Sequence, residues 1–226
     1  MICIKNVDVT GWEPAIRGMR NPMNSLDRSD SEFCSSMDDC EIGDNDHKLM
    51  MKLTNGGAVH AKYRRMIAVY LDITAPLYWW KEFDTYKVGT VVNSCSTMHK
   101  IHAKDFTLGD FSCEHLTRRS RERLEDAIDD LNYYRKLYLD GGTDYISDND
   151  QKDYGPKDKE IWWQLIQLLP SSYNQRRTVM LNYEVLTAMY RDRKNHKLDE
   201  WRELCRWIES LPYSEFIVGE ERLCEN

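Results

Sequence analysis

Between Thr74 and His102 the chain reads TAPLYWWKEFDTYKVGTVVNSCSTMHKIH: two Trp, two Tyr and a Phe, then the polar run Asn93-Ser94-Cys95-Ser96-Thr97-Met98-His99. Aromatic faces beside small hydrogen-bonding side chains suit a planar ligand with a polar edge, such as a nucleotide or a flavin. The same pattern also describes a core helix that ends in a capped loop. Cys95, flanked by Ser94 and Ser96 and near His99, has the composition of a thiol nucleophile. Such chemistry requires a neighbouring cation to favour the thiolate, and a buried inert cysteine has the same local sequence. Cys34-Cys40-His47 and Cys95-His99-His102 contain metal-ligand types, but neither follows a recognised zinc spacing, so no metal is expected. No Ser-His-Asp or Cys-His set has the placement of a nucleophile with its base.

The elements that must carry these residues are mostly helical. Residues 2–9 alternate as a strand, and residues 13–20 form a short helix stopped by Asn21-Pro22. Residues 24–46 are Ser- and Asp-rich without a period and read as a long acidic loop, either a lid or binding loop or a solvated insertion. Asp46 opens a helix to residue 53, and residues 60–65 form a helical turn. Residues 66–74 are rich in β-branched side chains and read as a strand. Thr74 then caps a helix reaching residue 87, with Pro76 in its first turn and Leu77, Trp80 and Phe83 on one face. Leu124, Ile128, Leu131, Tyr134 and Tyr138 recur at helical spacing over residues 118–139, ended by Gly141-Gly142. The start of that helix, RRSRER, is either a solvated charge run or a phosphate contact. Residues 143–155 read as a polar loop, and helices are expected over 156–169, 176–190 and 198–211. Strands and helices do not alternate strictly, which implies an α+β fold, helix-rich with a small mixed or antiparallel sheet. The expected divisions are residues 1–23, 24–46, 47–217 and a tail at 218–226.

The chain has 226 residues, a formal net charge of −7 and seven Cys. That charge argues against general nucleic-acid binding through phosphate contacts. The odd, scattered cysteines fit free thiols in a reducing compartment. No secretory or membrane-spanning pattern is visible, and a cytoplasmic location is expected.

Two separate stretches resemble the flavin-dependent thymidylate synthases. That family's signature, Arg-His-Arg-x-x-Ser-x-Asn-Glu-x-Ser-x-Arg-Tyr, lies without gaps on Tyr86 to His99, with Asn93 on its Asn and Ser96 on its later Ser. Nearer the C-terminus the family has Leu-Pro, a Tyr, an Asn that starts a helix ending in Leu-Arg, and then a segment with His and Gln-Trp-Glu. This chain offers Leu169-Pro170, Tyr173, Asn182, Arg193, His196 and Glu200-Trp201 in that order. The likeness runs from about Met66 to Leu211. The departures fall on the charged positions: Tyr86-Lys87-Val88 replaces Arg-His-Arg, Val91 replaces Ser, Ser94 replaces Glu, and Met98-His99 replaces Arg-Tyr. Each charged hydrogen bond to a phosphate that is lost weakens binding by about 1.5–3 kcal/mol. Lys87, His99, Arg64 and Arg118 are the candidate replacements.

The resemblance implies a pyrimidine-nucleotide site using Asn93, Ser96 and Arg193, and cofactor contacts from Lys87, His99, Asn182 and His196. It implies FAD as cofactor and, in an active enzyme, methylene-tetrahydrofolate and NADPH for reductive methylation of dUMP to dTMP. It also implies a homotetramer in which Lys87 and Arg193 meet across an interface. The lost cations point to a diverged member with altered or lost activity. The alternatives are a non-catalytic nucleotide sensor or protein-interaction protein on the same fold, and an enzyme acting on another pyrimidine nucleotide.

Overall fold

The computed structural model describes residues 2–33, 40–147 and 150–219. The chain runs through strand β1 (Cys3–Thr10), helix α1 (Trp12–Arg20), strands β2 (Glu32–Phe33) and β3 (Cys40–Glu41), helix α2 (Asp44–Asn55), strand β4 (Ala68–Pro76) and helix α3 (Leu77–Phe83). Strand β5 (Val91–Ser94), helix α4 (Arg118–Asp140), strands β6 (Gly142–Ser147) and β7 (Asp150–Tyr154) and helix α5 (Lys159–Leu168) follow. Strand β8 (Asn174–Asn182) and helices α6 (Tyr183–Arg193), α7 (Asp199–Glu209) and α8 (Glu215–Val218) complete the described chain. Four strands form a sheet in the order β1-β4-β8-β5, while β2–β3 and β6–β7 are separate antiparallel pairs. The class is the expected α+β, helix-rich one with a small sheet. The chain forms two compact units from interleaved segments, one from residues 74–81 and 94–177 and the other from residues 2–73, 82–93 and 178 onward.

In the first unit, Thr117 caps α4 by accepting a hydrogen bond from the Ser120 amide. The inward stripe of α4, Leu124, Ile128 and Leu131, packs with Ile101, Phe106, Phe111 and Leu165. Residues 142–147 and 150–154 form the antiparallel β6–β7 pair rather than a polar loop. Gly141 makes it possible: its φ is +74°, and a Cβ there would lie 2.8 Å from the Tyr154 carbonyl oxygen. Helix α5 starts at Lys159, after Pro156, because the Asp158 carboxylate accepts from the Glu160 amide at 2.8 Å and supplies the cap. Helix α3 starts at Leu77 rather than after Thr74. The Leu77 and Tyr78 amides donate to the Tyr173 and Ser171 carbonyls at 3.0 Å each, so these orphan donors need no Thr74 cap. Trp79 and Trp80 are fully buried and edge-to-face, and the Trp80 indole donates to the Gln175 carbonyl at 3.0 Å. The aromatic stripe is therefore core and not a ligand wall.

In the second unit, the buried face includes Ile16, Met50, Ile67, Leu71, Ile73, Val179, Leu181, Trp201 and Phe216. Residues 176–182 belong to β8 instead of the expected helix. Val179 and Leu181 are buried two apart, and Thr178, on the other face, donates to Asp72 at 2.6 Å. Asn182 ends this strand and caps α6, its side-chain oxygen accepting from the Val185 amide at 3.0 Å. Helix α3 stops at Phe83, four residues earlier than expected, where the Thr85 hydroxyl donates to the Glu82 carbonyl at 2.7 Å. Val91 and Val92 turn the start of the expected polar loop into strand β5.

The described part of the acidic segment has a structural use. Asp46 lies inside α2 rather than at its start, and it is completely buried. The buried Arg20 guanidinium pairs with its Oδ1, while its Oδ2 accepts from the Ser29 and Ser31 hydroxyls and from the Asp30 and Ser31 amides. Asp30 returns the contact by accepting from the Asn45 and Asp46 amides. The rest of the expected loop, residues 34–39 with Cys34, lies outside the described residues.

Candidate functional site

The C-terminal end of α6 gathers a polar cluster in the second unit. Arg193 Nε donates to the Tyr86 hydroxyl at 2.9 Å, and its Nη1 donates to Glu82 Oε2 at 3.0 Å. Its guanidinium lies 4.7 Å from the centre of the Trp201 ring, a cation–π distance. The Trp201 indole donates to the same Glu82 oxygen at 2.8 Å. His196 Nδ1 accepts from the Leu198 amide at 3.2 Å, which places the proton of the neutral ring on Nε2, 3.5 Å from Glu82 Oε2. Glu82 thus binds the arginine and the indole and faces the imidazole. Arg193 retains Nη2 for any outside acceptor.

Beside this cluster, Thr85, Tyr86, Lys87 and Val88 face Glu184, Val185 and Ala188 of α6 across a cleft of about 340 Å³. Gly89 lets the turn approach α6: its φ is +77°, and a Cβ there would lie 2.9 Å from Asn182 Nδ2 and 3.2 Å from Val185. Lys87 is exposed at the cleft. Glu184 lines the same cleft, its Oε2 buried 3.5 Å from Nη1 of the buried Arg64. That nitrogen also donates to the Thr187 hydroxyl at 3.4 Å.

The second unit thus gathers Lys87, Asn182, Arg193 and His196 along α6, its C-terminal turn and the facing 85–89 turn. Asn93 is exposed on β5 in this unit. Ser96 and His99 belong to the first unit and are both exposed. Ser96 Oγ accepts from the Met98 and His99 amides at 3.2 and 2.9 Å, a local turn that occupies its oxygen. Cys95 is exposed, whereas Cys205 is buried and its thiol is pushed up to about 12 by desolvation. His47 pairs with Glu215 at 2.8 Å, and the His102 ring packs 4.9 Å from Tyr138. Among the described residues no group of three His, Cys, Asp or Glu is placed to hold a metal ion.

Sequence reasoning missed Glu82 and Glu184. Both fall inside expected helices as ordinary surface acids, and the structure puts Glu184 in the first turn of α6. Arg64, a candidate phosphate contact by sequence, is committed to Glu184 and Thr187, and Arg118 is an exposed partner of Glu122. A flavin dinucleotide carries a diphosphate, which calls for several donors or cations. This cleft offers Lys87 and sets the Glu184 carboxylate against it. Its donor set does not fit the diphosphate of FAD.

No family model matches the sequence, and no curated protein does. Solved structures do match over nearly the whole chain. A flavin-dependent thymidylate synthase ThyX from Helicobacter pylori, complexed with FAD and dUMP, superposes with a TM-score of 0.63 at 15% identity, covering 97% of each chain. A second ThyX structure from the same organism, also with FAD and dUMP, gives 0.60 at 16% identity over 97% of this chain and 96% of that one. The UMP/dUMP methylase PolB from Streptomyces cacaoi, bound with 5-Br dUMP, gives 0.59 at 14% identity, with 93% and 89% covered. The fold of this chain is that of the flavin-dependent thymidylate synthases.

Proposed function

We propose that the protein binds a pyrimidine nucleotide on the thymidylate synthase fold, with reductive methylation altered or lost. The observation that carries this reading is the state of Arg193. Its Nε, its Nη1 and one face of its guanidinium are engaged by Tyr86, Glu82 and Trp201. An arginine so held is rigid and largely neutralised, suited to one directed hydrogen bond through Nη2 and poorly suited to a phosphate fork. Lys87 supplies the charge for a phosphate, and Asn93 supplies a neutral hydrogen bond. The nucleotides held by the ThyX and PolB structures support a pyrimidine base as the ligand. Ser96 and His99 are proposed contacts on the resemblance alone, as are the roles of Asn182 and His196 towards a cofactor. A homotetramer is proposed on the same ground.

Calorimetric titration with dUMP, UMP and FAD, combined with rescue of a thymidine-requiring strain, tests the reading. It expects nucleotide binding without FAD binding and no rescue. Rescue, or tight FAD binding, would contradict it and favour the full synthase reading. Absence of any nucleotide binding would favour a protein-interaction role.

A further inference from the structure

We propose that the cleft between the 85–89 turn and α6 is a subsite for a mononucleotide with an intact ribose diol, and that Glu184 selects it by accepting the 2′-hydroxyl. The inference rests on the nucleotide-binding reading above and deepens it to ribonucleotide over deoxyribonucleotide.

Glu184 lines the cleft, and its buried Oε2 accepts no hydrogen bond. Its Oε2 is turned to Arg64, which is 5% exposed and is itself steadied by Thr187. The carboxylate is therefore held in place by a charge behind it, and Oε1 is left for solvent or a ligand. A carboxylate only accepts hydrogen bonds, so its natural partner is a donor. Sugar hydroxyls are such donors, and an acidic side chain reading a ribose 2′-hydroxyl is a general device of nucleotide sites. Phosphate oxygens are repelled by the same group, which leaves Lys87 as the cleft's one cation for a phosphate. Val88, Val185 and Ala188 give an apolar wall for the uncharged part of the ligand. A volume of about 340 Å³ lies at the lower end of small-molecule sites and suits a mononucleotide rather than a dinucleotide.

Titration calorimetry of the full chain with UMP and dUMP tests this, using wild type, Glu184→Gln and Glu184→Ala. Loss of a hydrogen bond to a charged group predicts that UMP binds about tenfold or more tightly than dUMP to the wild type. Glu184→Ala should bring the ratio of UMP to dUMP affinity to about one, whatever both nucleotides gain from loss of the carboxylate's repulsion, and Glu184→Gln, which keeps an acceptor beside Arg64, should retain part of the preference. Melting curves of the variants report whether the Arg64 side stays folded, and the wild-type ratio decides the matter if they do not. Equal wild-type affinity for the two nucleotides would overturn this inference and leave the broader reading standing. So would a preference unchanged in a folded Glu184→Ala. Binding of neither nucleotide would overturn both.

Discussion

Arg193 is held by its own chain before any ligand arrives. Glu82 is the decisive partner, since it accepts from both Arg193 and the Trp201 indole. Replacing Glu82 with Gln removes the countercharge while keeping the shape. dUMP affinity in Glu82→Gln is then expected to rise about tenfold or more, the scale of one charged hydrogen bond regained. Titration of the variant against wild type measures it, and unchanged affinity would show that Arg193 does not reach the nucleotide. A second residue-scale expectation concerns Asp46. Burial raises its pKa, but hydrogen bonds from Ser31, Ser29, Arg20 and the Asp30 amide outweigh that and hold its carboxyl below the usual range. A depressed folded pKa stabilises the fold fully above the unfolded value near 4, and the contribution is lost as pH falls through the lower folded value. Asp46→Asn should cost about 3 kcal/mol or more near neutral pH, because it leaves Arg20 buried without a countercharge. Thermal melts of the two proteins should converge as the pH falls below the unfolded value near 4, and a gap that stays constant on acidification would contradict the assignment. Neither role was legible beforehand. Arg193 and Asp46 were visible as residues, but their partners are 107, 111 and 26 positions away in sequence, and nothing in local spacing encodes such pairings.

At the scale of elements, local pattern succeeded where one period dominated. The stripe from Leu124 to Leu131 and the stripe Trp201, Cys205, Ile208 each gave the helix that forms. It failed at residues 174–182, QRRTVMLN after Asn174, where basic residues with good helix propensity hide a strand whose buried side chains alternate. The family likeness had already placed a helix start at Asn182, and the structure puts its cap there. It failed again at the paired strands of residues 142–147 and 150–154, whose polar side chains carry no apolar alternation and whose pairing is backbone-driven. Two substitutions test how these elements shape the cleft. Gly89→Ala forces a Cβ against Asn182 in a left-handed backbone and should cost about 1–2 kcal/mol. Asn182→Ala removes the α6 cap and should cost about 1 kcal/mol. Denaturant unfolding measures both, and a neutral Gly89→Ala would mean that the turn does not approach α6 as described.

For the molecule as a whole, the order of a few motifs along the chain was enough to indicate the fold, although no family model matches the sequence. Motif order reflects topology, which tolerates substitution, while a site depends on its particular charges. Laid on the signature it resembles, this chain has Tyr86 and Val88 at the Arg positions with Lys87 between them, and two carboxylates, Glu82 and Glu184, lie nearby. No described helix is long and apolar enough to cross a membrane. The whole-molecule expectation is a nucleotide binder that does not retain the flavin dinucleotide. Native mass spectrometry of the purified protein with UMP, dUMP and FAD added together tests it most directly. One nucleoside monophosphate per chain without FAD is the predicted spectrum. A stable FAD adduct, or a chain that carries no nucleotide, would contradict it.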